Sequence, residues 1–534
     1  MNTSRHLPSK ILSPEAAAAL VRDGDCVVTG GFVGTGSPDL LFKALARRFR
    51  ETGSPRGLTY TFPAAPGDGR DAGVNIISAE GLVRRAIFGH IGMVPKLQRL
   101  IVDNKVEGYN LPLGVIAQLY RDIAAGKPGT ITTVGTGTFA DPEHGGGRMN
   151  AISRDTLVET VTLLGKRYLF YKSFPIDIAL VRGTTADPEG NVSLEDEALN
   201  HGLRNIASAV HNNGGKVVVQ VKRLVENDVL TGRQIHIPAC LVDAVVLATD
   251  PADTAQTYAV DFNPNFCGDA RVPNDQLPVM PLDERKIIAR RAALELAPHT
   301  VINLGIGMPE GVASIASEEE LSDYFTLTTE AGVIGGVPCS GVNFGVSYNP
   351  EAFFSLSDQF DFYDGGGLDA AFLGLAQVAP DGSLNVSRFG ERIPGFGGFV
   401  NISQNARKIV FTGTLTAGGL TVSIHDGRLR IEHEGRFRKF VNAIEQISFS
   451  GPYAASRGAD VLYVTERCVF RLVREGLELV EVAPGIDIER DILPAMEFRP
   501  VIRSPKLMDA RIFRDAPMGL TAEELAARRG AENR

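Results

Sequence analysis

Tryptophan is absent from this 534-residue chain, and cysteine is sparse, with Cys26, Cys240, Cys267, Cys339 and Cys468 scattered along it. An odd, dispersed set with no CxxC pair excludes a disulfide framework and a zinc ribbon, and fits a reducing compartment. Long apolar runs are missing as well; no stretch approaches the ~18 consecutive apolar residues of a membrane span. Met1–Ser13 lacks an apolar signal core, so the cytoplasm is the expected location. There is no excess of positive charge. The net charge is −9 and the pI is near 5.6, which argues against a nucleic-acid polyanion as the main partner. A phosphorylated small molecule stays open, because helix N-termini and backbone amides hold phosphate without many lysines. HExxH, GxSxG, the P-loop and spaced His/Cys sets are all missing, and the nine histidines are dispersed. No metal is expected.

Glycine is abundant, with 58 residues, many in short clusters between apolar segments. The chain is too long for one hydrophobic core, so at least two domains are expected. Ser13-Pro14-Glu15 reads as N-cap and helix start. Cys26–Thr29 reads as a strand entering the glycine loop Gly30–Gly36, and Ser37-Pro38 caps a helix to about Arg50. Further strands are expected at 58–62, 131–134, 176–181, 216–221 and 244–247. A proline-rich passage from Asn263 to Pro281 has linker composition. Asp283 then caps a helix to about Leu296, and Thr300–Asn303 is a strand. Segments at 421–424, 429–431 and 461–464 suggest a β-rich portion. Thr521–Arg534 is a charged tail able to form one helix.

The two parts resemble each other. Ile176–Leu180 matches Leu368–Phe372, Pro188-Glu189-Gly190 matches Pro380-Asp381-Gly382, and Lys216–Val219 matches Lys408–Phe411, all at one offset of 192 residues. The reading is α/β, with two similar open α/β domains produced by duplication and a site between them. The expected boundaries are 1–272, a linker at 273–282, 283–520, and the tail 521–534.

Thr328–Pro338 is the stretch with the clearest chemistry. An apolar run, Tyr324–Thr328, leads into Thr329-Glu330-Ala331-Gly332, with Gly335 and Gly336 following. That places one carboxylate at the C-terminal end of a strand, where open α/β sheets bind ligands. The three glycines would let backbone pass close to a bulky ligand, and a glutamate among small residues is suited to nucleophilic attack. The plainer reading is that Glu330 caps a turn. Cys339 lies nearby, but with no histidine close in sequence it reads as a small buried residue. Gly305-Ile306-Gly307-Met308 follows the Thr300 strand as a GxGxxxG loop, better suited to presenting N–H groups to phosphate or pantetheine than to nicotinamide. Gln359–Gly367 reads as a loop entering the next strand. Ile393–Phe399 is a second glycine cluster whose amides could face a developing oxyanion.

These residues together resemble the family I CoA-transferases, in the single-chain acetate/propionate and 3-oxoacid branch. The resemblance rests on Thr329–Gly332, Ile334–Gly336, Phe360–Asp369, Gly395–Phe399 and Asn401–Ala406, with Gly24–Pro38 and Tyr120–Gly129 in the first half. It implies that Glu330 attacks an acyl-CoA thioester and becomes a glutamyl-CoA thioester. Because the carboxylate is ionised near pH 7, no general base is needed. It implies Gly398 and Gly397 at the oxyanion, Gly305 to Met308 near CoA, and Gly31, Phe32 and Leu113 near the acid. CoA enters as substrate, no cofactor is permanent, and a homo-oligomer, dimer or tetramer, is expected with no nucleic-acid or membrane partner. One position departs from the pattern. Pro112-Leu113-Gly114 stands where relatives carry Pro-Gln-Gly, and a leucine donates no hydrogen bond. Gln118 is a substitute donor to consider. An acyl-CoA hydrolase and a ligand-sensing protein without turnover are the competing readings.

Overall fold

The computed structural model describes residues 9–272 and 280–532. Most of the expected linker, 273–279, lies outside the described residues, as do Met1–Pro8 and the last two residues of the tail. In the first part, seven strands build one sheet: β1 (Cys26–Thr29), β2 (Leu58–Ala64), β3 (Val83–His90), β4 (Glu107–Asn110), β5 (Ile178–Arg182), β6 (Lys216–Val221) and β7 (Ala244–Leu247). Their spatial order is β7-β6-β5-β1-β2-β3-β4, and every neighbouring pair is parallel. Strands buried on both faces read as unbroken apolar runs, as in Val217–Val219, where every residue is buried.

In the second part the strands are β8 (Thr300–Leu304), β9 (Phe325–Thr328), β10 (Val333–Ile334), β11 (Ala352–Phe353), β12 (Ala370–Gly374), β13 (Lys408–Thr412), β14 (Asp460–Val464), β15 (Cys468–Val473), β16 (Gly476–Val482) and β17 (Val501–Leu507). They form a ten-stranded sheet in the order β11-β10-β9-β8-β12-β13-β14-β15-β16-β17. The run β9-β8-β12-β13-β14 is parallel and repeats β2-β1-β5-β6-β7 of the first sheet. Register repeats too: Lys216 faces Ile178, and Lys408 faces Ala370. Asp177 accepts a hydrogen bond from the Cys26 N–H at 2.7 Å, and Asp369 accepts one from the Val301 N–H at 3.0 Å. The same carboxylate closes the same strand pair in both halves.

Several local expectations need correction. Ser37 does not cap the helix Asp39–Thr52. Its hydroxyl donates to Asp39, and Pro38 occupies the cap position without a side-chain bond. Gln359–Gly367 is not a loop: Leu356–Asp364 is a helix, started by Ser355 Oγ accepting from the Asp358 N–H at 3.2 Å. Strands β3 and β4 were not expected from the sequence. Asp283 does cap its helix, which ends at Ala293. The tail forms the helix Ala522–Glu532, with Leu525 buried. Among the described residues no helix is long and apolar enough to cross a membrane.

One buried cluster joins the halves. It holds Phe32, Val33 and Leu113 from the first, and Ala331, Phe344 and Phe360 from the second. The site forms around it.

Candidate active site

Strand β9 delivers Glu330 to the C-terminal edge of the second sheet. The residues before it are held on both sides. Thr328 Oγ1 donates to Ile302 O at 2.9 Å and meets Tyr363 Oη at 2.8 Å; Thr329 Oγ1 donates to Gly345 O at 2.7 Å. The chain then turns, with the Gly332 N–H on Thr329 O. Gly332 has φ +110°, and a Cβ there would overlap Phe354 O. At Gly336, φ +75°, a Cβ would overlap Tyr348 O. Gly332 and Gly336 therefore allow close passage of the protein's own backbone, and Gly335 makes room for the Glu351 side chain.

Glu330 is half-buried, its carboxylate lying deep in a crevice. Burial pushes its pKa up to about 7, with the Gly398 backbone N–H pulling the other way. The buried carboxyl therefore holds its proton to higher pH than a free glutamate does, in contrast to the expectation of a side chain simply ionised near pH 7. A Cβ at Gly398 would overlap Glu330 Oε2 and stand 2.8 Å from Phe360 Cζ. Only glycine fits between the carboxylate and that ring.

The loop carrying Gly398 is stitched to the first half. The Ile91 N–H donates to Pro394 O at 2.8 Å, the Phe396 N–H to Asn110 Oδ1 at 3.0 Å, and the Leu113 N–H to Gly397 O at 3.0 Å. The Gly397 N–H donates to Gly89 O at 2.9 Å. Gly397 is thus already engaged and is not a free oxyanion donor, which corrects its assignment; the Gly398 N–H faces the Glu330 carboxylate.

Leu113 opens the helix Leu113–Ala124 beside this loop, but its side chain has 0% exposure. It packs in the shared cluster and presents no surface to a ligand. Gln118 does not replace the missing donor, because its amide donates to Asp361 at 3.1 Å and Asp364 at 2.9 Å. Burial raises Asp364 to about 6, against its bonds from Asn401, Gln118 and Asn405. The Arg121–Asp361 ion pair lies alongside. Together these groups tie the halves beneath the site.

The first half also sends in Phe32, whose ring centroid lies 6.2 Å from that of Phe344. A Cβ at Gly345 would stand 2.7 Å from Phe32 Cε1 and 3.0 Å from Ala331 Cβ. Phe32 therefore reaches the residue after Glu330, while Gly31 lies against Pro66. The loop after β8 opens outward: Ile306 is 54% exposed and nothing stands where a Gly307 Cβ would be. The Gly305 N–H is taken by Phe372 O at 2.8 Å. The backbone of Gly307 faces the Glu310 carboxylate, which burial raises. An acidic neighbour suits neutral pantetheine better than phosphate. Cys339 is buried with its thiol pushed up to about 12, so it is no nucleophile at neutral pH.

Three residues near Glu330 escaped the sequence reading. Phe360 and Tyr363 sit in the run taken for a loop, and a Ser-x-x-Asp cap before apolar spacing was the available signal. His90 ends β3 beside Gly397, and no spacing in the sequence marks it. Among the described residues no His/Cys/Asp/Glu group could hold a metal.

Residues 11–248 match the family described as Coenzyme A transferase. Caffeate CoA-transferase of Acetobacterium woodii is 45% identical over 519 residues, covering 96% of this chain and 99% of that protein. Acetate CoA-transferase YdiF of Escherichia coli (strain K12) is 42% identical over 519 residues, with 97% of each covered. The crystal structure of the acyl-CoA transferase YdiF from E. coli O157:H7, a thioester complex with CoA, has TM-score 0.89 and 41% identity over 96% of this chain and 98% of that one.

Proposed function

The chain belongs to the coenzyme A transferase family, as a single-chain enzyme that moves CoA between an acyl-CoA and a free acid, and from that premise we propose that Glu330 is the residue that carries the CoA. The observation behind this reading is a buried carboxylate, its pKa pushed up to about 7, fitted against the Gly398 backbone N–H on the loop that is stitched to the first half. Loss of water makes the ionised form a stronger nucleophile.

The steps balance without ATP. A Glu330 oxygen bonds to the thioester carbon and the CoA thiolate leaves, giving a mixed anhydride. The thiolate then attacks the glutamyl carbon, and the donor's acid departs as carboxylate. An acceptor carboxylate attacks the resulting glutamyl thioester, freeing the thiolate again. The thiolate attacks the acceptor's acyl carbon, which restores Glu330. Each tetrahedral centre carries an oxyanion, and the Gly398 N–H is the donor assigned to it. The backbone from Ile306 to Met308 takes the pantetheine arm. Phe32 shapes the acid side through its approach to the Glu330 turn, and Gly31 precedes it, packed against Pro66.

In this reading residues 1–272 serve the acid, 283–520 carry the glutamyl chemistry, and 521–534 form a peripheral tail. The acids are short-chain, acetate and propionate first. The relative named caffeate CoA-transferase gives arylacrylic acids a claim as a second class. A homo-oligomer in the cytoplasm completes the proposal. The named relatives are transferases and lend the hydrolase reading no support.

The test is direct. Acyl-CoA without acceptor leaves CoA on Glu330, and borohydride then reduces that side chain to an alcohol in the peptide spanning Thr328–Pro338. Label on another residue removes Glu330 from the role. A panel of acetate, propionate and caffeate, read by mass spectrometry, ranks the acceptors.

A further inference from the structure

An entering acid needs a partner for its carboxylate while the glutamyl thioester waits. The first half brings one side chain to the right place. His90 is the last residue of β3, and the carbonyl before it, Gly89 O, receives the Gly397 N–H. A Cβ at Gly397 would lie 3.9 Å from His90 Cβ and 4.0 Å from Cδ2. A Cβ at Gly92 would lie 2.6 Å from Nε2. The imidazole therefore fills a slot that two glycines leave open, one residue from the glycine facing Glu330.

The ring is enclosed yet reached. His90 is half-buried, like Glu330, and no hydrogen bond occupies its ring nitrogens among the described residues. Burial, and after it the charge of Arg392, hold it down at about 4, so at neutral pH it has one N–H donor and one acceptor nitrogen. Arg392 itself is exposed and makes no ion pair among the described residues. An exposed cation near a half-buried, uncharged donor suits a small monocarboxylate, which is attracted on approach and accepts one hydrogen bond on arrival. Leu113, on the adjoining helix, offers no competing donor.

We propose that His90 contacts the carboxylate of the acceptor acid and, with the exposed Arg392 nearby, determines which acids are taken. This rests on the assignment of Glu330. It goes further by naming the residues that receive the second substrate.

The experiment uses the full-length enzyme converted to its glutamyl-CoA form, mixed with acetate or propionate over a range of concentrations. His90→Leu is expected to raise the half-saturating acid concentration at least tenfold, with CoA affinity by calorimetry within twofold of the parent. His90→Gln, which keeps an N–H donor, recovers most of the loss. Arg392→Ala raises the same acid constant severalfold at low salt, and the difference shrinks at high salt. Because Arg392 is exposed, that variant reads the proposal even where His90→Leu fails to fold. Unchanged acid dependence in both His90 variants overturns the inference, and so does a matching loss of CoA affinity. Borohydride labelling away from Glu330 defeats the underlying assignment instead, so the two failures are distinguishable.

Discussion

At Glu330 the protein keeps a carboxyl group away from water with one backbone N–H beside it, and the fold is weaker for it. The side chain's pKa rises from 4.5 to about 7 on folding. Below pH 4.5 both folded and unfolded chains hold the proton, and nothing is lost. As pH climbs from 4.5 to 7 the unfolded chain releases it first, so stability falls, and the loss is complete above pH 7. The size is about 3 kcal/mol. Glu330→Gln is therefore expected to leave the melting temperature unchanged at pH 4.5 and to raise it by several degrees at pH 8, read by scanning calorimetry. Equal shifts at both values would contradict this linkage. Activity follows the same group: kcat/KM for the acyl-CoA should rise with pH through about 7.

Leu113 is a second case at this scale. An amide there must either reach the crevice or lie unpaired in the core, at a cost of about 1–3 kcal/mol. Since the leucine is wholly buried, Leu113→Gln is expected to lower the melting temperature and to leave turnover of acetyl- and propionyl-CoA unchanged or reduced. A rise in turnover would show that the position does see the oxyanion.

Among the elements, the loop from Pro394 to Gly398 separates two kinds of glycine. Gly397 has φ +57° and open surroundings, so Gly397→Ala strains the backbone by about 1–2 kcal/mol and keeps most activity. At Gly398 φ is ordinary, but the added methyl would displace the carboxylate. Gly398→Ala is expected to cut kcat about 10²–10³-fold with little change in stability, as steady-state kinetics and melting curves would show together. Elements were legible where apolar residues run unbroken. Strands β6 and β7 fall where the sequence puts them, because both faces are covered and every position pulls the same way. Strand β4 was hidden because it reads Glu107-Gly108-Tyr109-Asn110. Its asparagine is buried, donating to Phe88 O and Gly89 O of the adjacent strand and accepting from the distant Phe396 N–H, partners that no local pattern reveals. The helix holding Phe360 and Tyr363 was missed for a different reason. Three glycines follow its end and give the run a loop-like composition, although Ser355 caps its start.

For the whole molecule, the duplication was plain in the sequence, since Asp177 and Asp369, at one offset, close equivalent strand pairs. Glu330 was legible as well, standing alone among glycines at a strand end. What lay beyond reach was the crossing of chain segments at the interface. Gly397 meeting Gly89, Gln118 meeting Asp364 and Phe32 meeting Phe344 are contacts between residues more than 200 positions apart, and a single sequence carries no signal of them.

The joining of Phe32 to the Glu330 turn within one polypeptide has a genetic consequence. Two defective alleles, one altered in each half, meet in a cell as separate chains, and each chain builds its own incomplete crevice. Co-expressing Glu330→Ala with a first-half variant that is inactive by itself should therefore give no intragenic complementation. Growth on an acid that requires this enzyme should fail with both alleles together as it fails with either alone.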